Sequence, residues 1–465
     1  MSLTRRRLVQ LSASTLLGGL TLPLHASDKK FDVIIIGAGL AGLQAARQLE
    51  KSAANYLLLE ASARSGGRIW TLDDLDGAPE AGGSQVGINY SLFRDTAKQL
   101  GVTFDGGSGI AKGMTFAVNN QLFNSENWAT HPANHTGKTE KAIQPSWLLW
   151  QYLAKAPQLD NPGSWNQEKF SALDIPLKQF LLQQGASAEA IRLIRCDLTG
   201  DIETISTLEV MRKLAIVQQS RGAEYVSGGT QRFTDALAKN LRNPVLHNHA
   251  VNDIHDHGNS VTVKCSNGAS FTAKRVICAI PFSTARTIVW HKALSETKTA
   301  LIQRLNYHPV THVFLQPKKA FWESDKLSVN MWTDTPIGRL FSQTEKSGKI
   351  IGLRLWLNGQ YAAQFDAMKP TDAEHKLLDI LAAIRPSTKE AVEISRYLSW
   401  GNNPNNRGAF SWYSAGDVGK LSSAANTLEG NVHFAGEHTE QNFSGMEAAL
   451  LSGQRAANEI IKALS

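Results

Sequence analysis

Short apolar runs near the start of the chain are separated by glycine turns. The run Phe31 to Ile36 is typical of a buried strand and leads directly into Gly37-Ala38-Gly39-Leu40-Ala41-Gly42. We predict a helix from Leu40 to Leu49 and a second strand, Tyr56 to Leu59, which ends at Glu60. A strand, a glycine turn, a helix and a second strand in this order form the setting in which a G-x-G-x-x-G motif binds a dinucleotide.

Each part of this motif has a physical role. Gly37 allows the sharp turn, Gly39 lets the backbone approach a pyrophosphate, and Gly42 lets the helix pack closely on the strand. The phosphates then bind free N–H groups at the start of the helix. Glu60 lies at the expected distance along the chain to accept hydrogen bonds from ribose hydroxyls.

The hydrophobic pattern farther along the chain predicts a mixture of helices and strands. The predicted elements are helices at 175–184, 188–196, 233–241 and 372–384, a hairpin at 251–273 with a turn at Asn267-Gly268, and a strand at 308–316. With 465 residues, of which 42% are hydrophobic, the chain is long enough for a large core and two domains.

The first residues predict an export signal that is not part of the fold. Arg5, Arg6 and Arg7 precede an apolar run, 11–24, which is interrupted by glycines and is too short to span a membrane. The arginines are typical of a twin-arginine signal, which implies a bacterial periplasm, and an ordinary secretory signal is the alternative. We expect cleavage near Ala26, so that residues 1–26 are removed and no membrane anchor is left.

Charge and cysteine content argue against two classes of function. The formal charge of +7 falls to +4 without the three arginines of the signal, and the other basic residues are dispersed, so nucleic-acid binding is not expected. The cysteines, Cys196, Cys265 and Cys278, include no C-x-x-C pair. We therefore expect no disulfide framework and no metal site.

A second glycine pair follows the acidic residue and points to a family. The segment from Glu60 through Arg64, Gly66, Gly67 and Arg68 resembles the E-x3-R-x-G-G-R-x-x-S/T sequence of the flavin-containing amine oxidase superfamily. The resemblance implies that the dinucleotide is FAD. In that setting the glycines allow close backbone approach, and the two arginines supply donors to the pyrophosphate.

Further segments carry the same resemblance and imply more contacts to FAD. Gly82, Gly83 and Ser84 resemble the segment near the flavin ring, and Trp400 opens a segment that lies beside the flavin in the family. The strand that ends at Gly436 and Glu437 leads to a helix whose start would point at the flavin. The other positions implied to contact FAD are Val251 at the adenine end and Gly445 and Met446 at the helix start.

The resemblance implies an α/β fold, α+β overall, of the monoamine oxidase type. A Rossmann-like FAD-binding domain, formed by 28–101, 223–287 and 400–465, is interleaved with a substrate domain of mixed sheet and helices, formed by 102–222 and 288–399. Both domains are thus discontinuous. The implied partners are a small-molecule amine and either oxygen or a periplasmic electron acceptor, and a homodimer is compatible with this assignment.

Several positions depart from the family pattern. Ala409 stands where monoamine oxidases attach the flavin to a cysteine, so non-covalent FAD is expected. Phe410 matches one aromatic residue of the family's amine cage, whereas the second position falls on Gly445. Phe443, Trp412 or Tyr413 would have to form the other wall.

Members of the superfamily commonly have a lysine that holds a water at the flavin, and this chain lacks it at the corresponding position. By count its position on the 308–316 strand falls on His312, which is either a packed, hydrogen-bonded side chain or a replacement for the lysine. A replacement would make rapid reaction with oxygen doubtful and would favour another electron acceptor.

The substrate class follows from what comes after Gly83. L-amino acid oxidases place an arginine there to bind the carboxylate, but this chain has no arginine before Arg94, so we expect an amine substrate. An L-amino acid oxidase and a non-catalytic FAD-binding protein are the alternatives. A carotenoid-type desaturase is disfavoured by the segment Gly436 to Thr439.

Overall fold

The computed structural model describes residues 30–105, 110–220 and 222–465, so the predicted signal at 1–26 lies outside the described residues. In chain order the strands are β1 (Phe31–Ile36), β2 (Tyr56–Leu59), β3 (Val86–Gly87), β4 (Phe104–Asp105), β5 (Thr115–Val118), β6 (Gln121–Asn124), β7 (Ala223–Val226), β8 (Val251–Asp256), β9 (Val261–Cys265), β10 (Ser270–Cys278), β11 (Val289–Trp290), β12 (Asn306–Tyr307), β13 (Val310–Pro317), β14 (Met331–Thr333), β15 (Arg339–Thr344), β16 (Ile350–Asn358), β17 (Val392–Ser399), β18 (Ser411–Trp412) and β19 (Val432–Phe434). The α-helices are α1 (Leu40–Leu49), α2 (Ser91–Gln99), α3 (Pro145–Leu153), α4 (Leu177–Gln183), α5 (Ala188–Asp197), α6 (Thr207–Ser220), α7 (Gln231–Lys239), α8 (Phe282–Ala285), α9 (Glu296–Arg304), α10 (Phe321–Asp325), α11 (Gly359–Asp366), α12 (Pro370–Ile384), α13 (Val418–Leu421) and α14 (Gly445–Leu464).

The first sheet brings together strands from both ends of the chain. Its parallel strands lie in the order β2, β1, β10 and β19. On the other part of β10, β9 pairs antiparallel with β10, β8 pairs antiparallel with β9, and β11 pairs parallel with β8. Ile36 is in register with Leu59 on one side and Cys278 on the other, and Cys278 pairs with Phe434. The carboxyl ends of these strands therefore meet at one edge, where ligands bind in open α/β sheets.

Close packing at the first glycine turn matches the prediction for that motif. Strand β1, helix α1 and strand β2 have the predicted bounds. A Cβ atom added to Gly42 would lie 1.8 Å from the carbonyl oxygen of Gly37, so only glycine allows α1 to pack this closely. On its other side α1 packs against α14, where Gly453 approaches the backbone of Ala41.

The second sheet has two chemically different faces. Its strands lie in the order β17, β13, β16, β15, β14, β5 and β6. On one face the side chains of Val313, Leu315 and Leu355 are buried in a core with α11 and α12. Because side chains alternate along a strand, His312 and Arg354 lie on the opposite face. That face covers the carboxyl edge of the first sheet, and the cavity described below lies between them.

Two smaller sheets complete the fold. Strand β7 pairs with β3 and β4, and β12 pairs with β18. Across residues 30–105, 110–220 and 222–465, no helix has both the length and the apolar character needed to cross a membrane.

Most predicted elements are present, with shifts that have local causes. The predicted strand 308–316 is β13, the helices at 233–241 and 372–384 are α7 and α12, and Asn267-Gly268 forms the turn between β9 and β10. The helix predicted to start at 175 starts at Leu177, because a residue before proline disfavours helical geometry and Pro176 pairs with Ser206. The α/β class is confirmed, and the domain boundaries stay a prediction.

Candidate active site

A cavity of about 1320 Å³ extends along the carboxyl edge of the first sheet and beneath the second sheet. Sixteen of the seventeen predicted FAD contacts line it. These residues are Gly37, Gly39, Glu60, Arg64, Gly66, Gly67, Arg68, Gly82, Gly83, Ser84, Val251, Trp400, Gly436, Glu437, Gly445 and Met446. The exception is Gly42, which lies behind the turn and acts through packing.

The two glycine turns face each other at the phosphate end. A Cβ atom added to Gly67 would lie 3.3 Å from the Cα atom of Gly39, and the N–H of Gly66 donates to the carbonyl of Ala38 at 2.8 Å. Helix α1 starts here without a capping side chain, so its first N–H groups point into the cavity. Backbone donors and bare glycines on both sides fit a pyrophosphate.

Glu60 is held rigidly at the end of β2. Its Oε2 accepts from the N–H of Ala38 at 2.7 Å, and its Oε1 accepts from the N–H and hydroxyl of Ser62 at 2.9 and 2.8 Å. Val251, the residue predicted at the adenine end, lines the same cavity. The position agrees with the predicted ribose contact, which stays a prediction.

Arg64 braces the second glycine turn. Its Nη1 donates to the carbonyl of Ile69 at 2.7 Å, and its Nη2 donates to that of Gly67 at 2.6 Å. The guanidinium also stacks 4.5 Å above the ring of Trp70. These bonds engage donors that we predicted for the pyrophosphate, so Arg64 shapes the loop through contacts with its carbonyls.

Arg68 and Glu437 connect the two ends of the chain by a partly buried ion pair. Nη1 of Arg68 lies 3.1 Å from Oε1 of Glu437 and donates to the carbonyl of Ala409 at 2.7 Å. Glu437 also accepts from the N–H and hydroxyl of Ser411 at 3.0 and 3.1 Å. Burial alone would raise the pKa of Glu437, but Arg68 and then Lys213 outweigh it and lower this pKa to about 2. Glu437 is therefore ionised at neutral pH, and its contact with FAD stays a prediction.

The start of α14 forms the far end of the predicted cofactor site. Gly445 is its first residue and lines the cavity with Met446, so the positive end of the helix dipole faces the cavity. Trp400 is fixed beside them because its Nε1 donates to the carbonyl of Ala81 at 2.7 Å. This arrangement would stabilise negative charge on a bound flavin ring.

His312 lies in the cavity wall and is not the hydrogen-bonded side chain that we considered. It is buried on β13, its ring stands edge-on to that of Trp356, and neither ring nitrogen has a hydrogen-bond partner among the described residues. Burial, and next the charge of Arg354, hold its pKa well below the usual 6.5. His312 is thus a neutral imidazole with unused hydrogen-bonding capacity facing the predicted flavin site.

Of the four aromatic residues considered for the substrate wall, one lines the cavity. Phe410 does so, whereas Trp412, Tyr413 and Phe443 do not. Trp412 packs on His308, which itself packs on Phe410, so Trp412 lies one layer behind the wall. The structure thus places Trp412 and Phe443 outside the cavity lining, and their contact with a substrate stays a prediction. The carbonyl of Phe443 accepts from Nη2 of Arg212 at 2.8 Å.

Comparison with known proteins decides the family. Residues 40–461 match the family model described as flavin containing amine oxidoreductase. The chain belongs to this family. Its members use a flavin to oxidise amines, so the predicted FAD and the predicted enzyme class, an amine oxidoreductase, are confirmed.

Individual relatives agree with this assignment across nearly the whole chain. An L-amino-acid oxidase of Siganus canaliculatus is 28% identical over 92% of this chain and 85% of its own length. The flavin-containing amine oxidase A of Equus caballus is 24% identical over 93% of this chain and 85% of its own. Cyclohexylamine oxidase from Brevibacterium oxydans superposes with a TM-score of 0.78 at 24% identity, covering 94% of this chain and all of that chain.

This amine oxidoreductase has cavity residues that sequence reasoning missed. Tyr90 lines the cavity, and its hydroxyl lies 3.6 Å from the position of a Cβ atom on Gly445, where the second aromatic residue was expected. Arg339 and Arg354 also line the cavity, from β15 and β16. The lack of an arginine after Gly83 therefore does not leave the cavity without a cation. For Arg339 and Arg354, the sequence offered only the alternation of side chains along each strand. It did not show which strands pair, so it could not place these arginines in the cavity.

Two groups elsewhere bear on chemistry. Within the described ranges, no cluster of three or more histidine, cysteine or acidic side chains is arranged to hold a metal ion. Glu447, on the first turn of α14, accepts from the N–H groups of Leu92 and Phe93 at 2.8 and 2.9 Å. It therefore caps α2 and does not line the cavity.

Proposed function

We propose that this amine oxidoreductase holds FAD non-covalently and oxidises a small-molecule amine between the flavin ring and the second sheet. The observation that carries the proposal is a single cavity in which the glycine turns and the start of α14 meet His312 and Phe410. Non-covalent binding is supported by Ala409 at the family's cysteine position. None of the chain's three cysteines lines the described cavity.

The proposed reaction removes a hydride and a proton from the amine. Bound FAD supplies the redox chemistry by accepting the hydride from the carbon that carries the unprotonated nitrogen. The N–H proton is lost, which leaves an imine, and water converts the imine to an aldehyde or ketone and ammonia or a smaller amine. Oxygen then takes the two electrons with two protons and becomes hydrogen peroxide, unless another acceptor takes the electrons.

The chain contributes orientation and electrostatics. Phe410 supplies an apolar wall that excludes water from the reacting carbon. His312 is neutral, so it adds no positive charge beside the amine and can exchange hydrogen bonds with a water or with the substrate. The Arg68 and Glu437 pair holds the loop of Ala409 against the cofactor site.

Product analysis of the purified, yellow protein tests this function. In air, we expect an amine panel to give ammonia, a carbonyl product and hydrogen peroxide in equal amounts. The same panel, tested with an artificial electron acceptor and without oxygen, measures which acceptor the enzyme prefers. Because His312 stands at the position of the family's lysine, we expect a preference for the artificial acceptor over oxygen. Absence of carbonyl product under both conditions, with every amine, contradicts the proposal and favours a non-catalytic FAD-binding protein.

An L-amino acid oxidase is the second candidate. It is favoured by the Siganus relative and by the arginines that line the cavity from the second sheet. A panel that pairs each amine with the α-amino acid of equal chain length separates the two. Turnover confined to the amino acids would replace the amine proposal.

We also propose export by the twin-arginine route to a bacterial periplasm, which is supported by Arg5-Arg6-Arg7 before the apolar segment. Replacement of Arg5 and Arg6 by lysine should leave the uncut protein in the cytoplasm, whereas unchanged periplasmic activity would argue for an ordinary secretory signal. A homodimer is proposed from the family resemblance, and light scattering of the purified protein measures it.

A further inference from the structure

We propose that Arg354 adapts this site to amines that carry a carboxylate or similar anion at a distance from the nitrogen that is oxidised. The inference rests on the proposed function, since it names the substrate class of the same cavity. It concerns a residue of β16 that the family motifs in this sequence do not include.

Arg354 is placed on the cavity face next to the catalytic region. It pairs in register with Phe314 of β13, two residues beyond His312, and with Phe341 of β15. Its guanidinium carbon lies 5.3 Å from the ring centroid of Trp356, whose ring contacts that of His312. Arg354 is therefore the diagonal neighbour of His312 on the adjacent strand, roughly 7 to 8 Å away.

Arg354 has no anionic partner in the described part of the chain. Its one hydrogen bond runs from Nη1 to the carbonyl oxygen of Glu80 at 2.9 Å, and no carboxylate lies within salt-bridge distance. By contrast, the neighbouring cavity arginines Arg68 and Arg339 form ion pairs with Glu437 and Asp197. Nη2 and Nε of Arg354 thus form an unused pair of donors at the cavity face.

The carboxylates that line the cavity are engaged elsewhere. Glu80 accepts from the N–H of Thr230 and the hydroxyl of Thr71, and burial raises its pKa. Its carboxylate acts on Arg354 through space but forms no ion pair with it. Asp105 lies 3.8 Å from Lys346. Glu60 and Glu437 belong to the cofactor end. No described carboxylate therefore forms an ion pair with Arg354, and an incoming anion would not have to displace one.

The environment of Arg354 favours a ligand that carries an anion. Burial lowers the pKa of Arg354 to about 10, which still leaves it charged at neutral pH. Arg354 is partly buried, and a partly buried cation without an ion-pair partner is costly. The cost is relieved when a ligand supplies a carboxylate that accepts two parallel N–H bonds. An amine with an apolar tail offers no such relief.

The position of Arg354 favours a spacer between the two groups of the substrate. In an α-amino acid the carboxylate is attached to the same carbon that loses the hydride. Arg354 lies on the strand next to His312, two residues farther along the sheet. His312 is at the position that faces the flavin in the family. A carboxylate at the far end of the chain reaches Arg354 while the amine end stays at the flavin.

Three amines of equal carbon chain length test the proposal: hexylamine, ε-aminocaproate and norleucine. Anaerobic flavin reduction by each is measured in the wild type, in Arg354→Met and in Arg354→Lys. Binding of caproate, which has no amine, is followed through the flavin spectrum as a readout independent of turnover. Arg396→Met serves as the control, because Arg396 lies on the same sheet in an exposed ion pair with Asp74.

We expect wild-type kcat/KM to be highest for ε-aminocaproate. Arg354→Met should lower it about ten- to a hundredfold and abolish caproate binding, the usual cost of a lost charged hydrogen bond. Hexylamine should be nearly unaffected, Arg354→Lys should restore part of the loss, and Arg396→Met should change nothing.

Equal losses for hexylamine and ε-aminocaproate in Arg354→Met would overturn the proposal, as would a wild-type preference for hexylamine or norleucine. If no amine reduces the flavin but caproate binds in an Arg354-dependent way, the anion site stands and the proposed function fails.

Discussion

The two ends of the cavity are built differently. At the cofactor end the polar groups already have partners: Glu60 is bonded to backbone, Arg64 to carbonyls, and Arg68 to Glu437. At the proposed substrate end, within the described residues, Arg354 forms no ion pair and neither ring nitrogen of His312 has a hydrogen-bond partner. One cavity thus joins an end whose polar groups are bonded within the protein to an end with free hydrogen-bonding groups. We propose that the first end holds the cofactor and that a ligand completes the second.

Gly42→Val should have the largest effect, because it should distort the glycine turn at the cofactor end and so reduce flavin binding. The new side chain would overlap the carbonyl of Gly37, which must move and distort the turn. We expect the purified variant to retain less than about a tenth of the wild-type flavin, measured as flavin absorbance per protein. Gly419→Ala is the control, since open space surrounds that glycine. Normal flavin content in Gly42→Val would contradict the packing role.

Glu437→Gln should come next, because it leaves the partly buried Arg68 without its anion. We expect the free energy of unfolding of the flavin-free protein to fall by about 2 to 4 kcal/mol at neutral pH, measured with urea. The exposed pair of Lys318 and Glu393 provides the control, and Glu393→Gln should change stability by less than about 1 kcal/mol.

The effect of Glu437→Gln should also depend on pH. The folded-state pKa of Glu437 is lowered from 4.5 to about 2, so its contribution is complete above 4.5 and is lost as pH falls toward 2. The stability difference between wild type and variant should shrink over that window. A difference that stays constant down to pH 2 would show that charge is not its cause.

His312→Lys sharpens the comparison at the substrate end. A lysine here restores the family's residue, and we expect the reduced enzyme to react with oxygen at least about tenfold faster in stopped-flow mixing with aerated buffer. His312→Gln, which keeps a neutral polar group, should not accelerate the reaction. An unchanged rate in His312→Lys would indicate that His312 does not occupy the lysine's place at the flavin.

Phe410→Ala should give the smallest effect. Loss of the aromatic wall should slow anaerobic flavin reduction by roughly three- to tenfold, the range expected for one aromatic contact. Trp412→Phe should stay within about twofold, since Trp412 lies behind the wall and keeps most of its packing. A larger effect of Trp412→Phe than of Phe410→Ala would contradict the assignment of Phe410 to the cavity wall and of Trp412 to the layer behind it.

The cofactor end was predictable because its motifs are local in sequence. Gly37, Gly42 and Glu60 act through neighbours within one strand, turn, helix and strand, so spacing alone determines their positions. The substrate end depends on strand pairing between distant segments. Arg354 reaches the cavity only because β16 pairs with β13 in a register that the sequence does not specify locally.

The aromatic wall shows the same limit at the level of single side chains. Phe410 and Trp412 are both aromatic and stand two residues apart, and the packing of His308 against both of them separates the one that lines the cavity from the one behind it. Tyr90, which lies beside Gly445, follows the first glycine segments and belongs to no motif that we identified. Such positions are set by tertiary packing.

The most direct measurement of the central claim is anaerobic mixing of the FAD-loaded protein with hexylamine and ε-aminocaproate, followed at the visible flavin band. If both cavity ends serve one reaction, the band should bleach as two electrons pass to the flavin, with ε-aminocaproate faster than hexylamine at equal low concentrations. A band that is unchanged by these and every other amine tested would contradict the claim that this cavity oxidises amines.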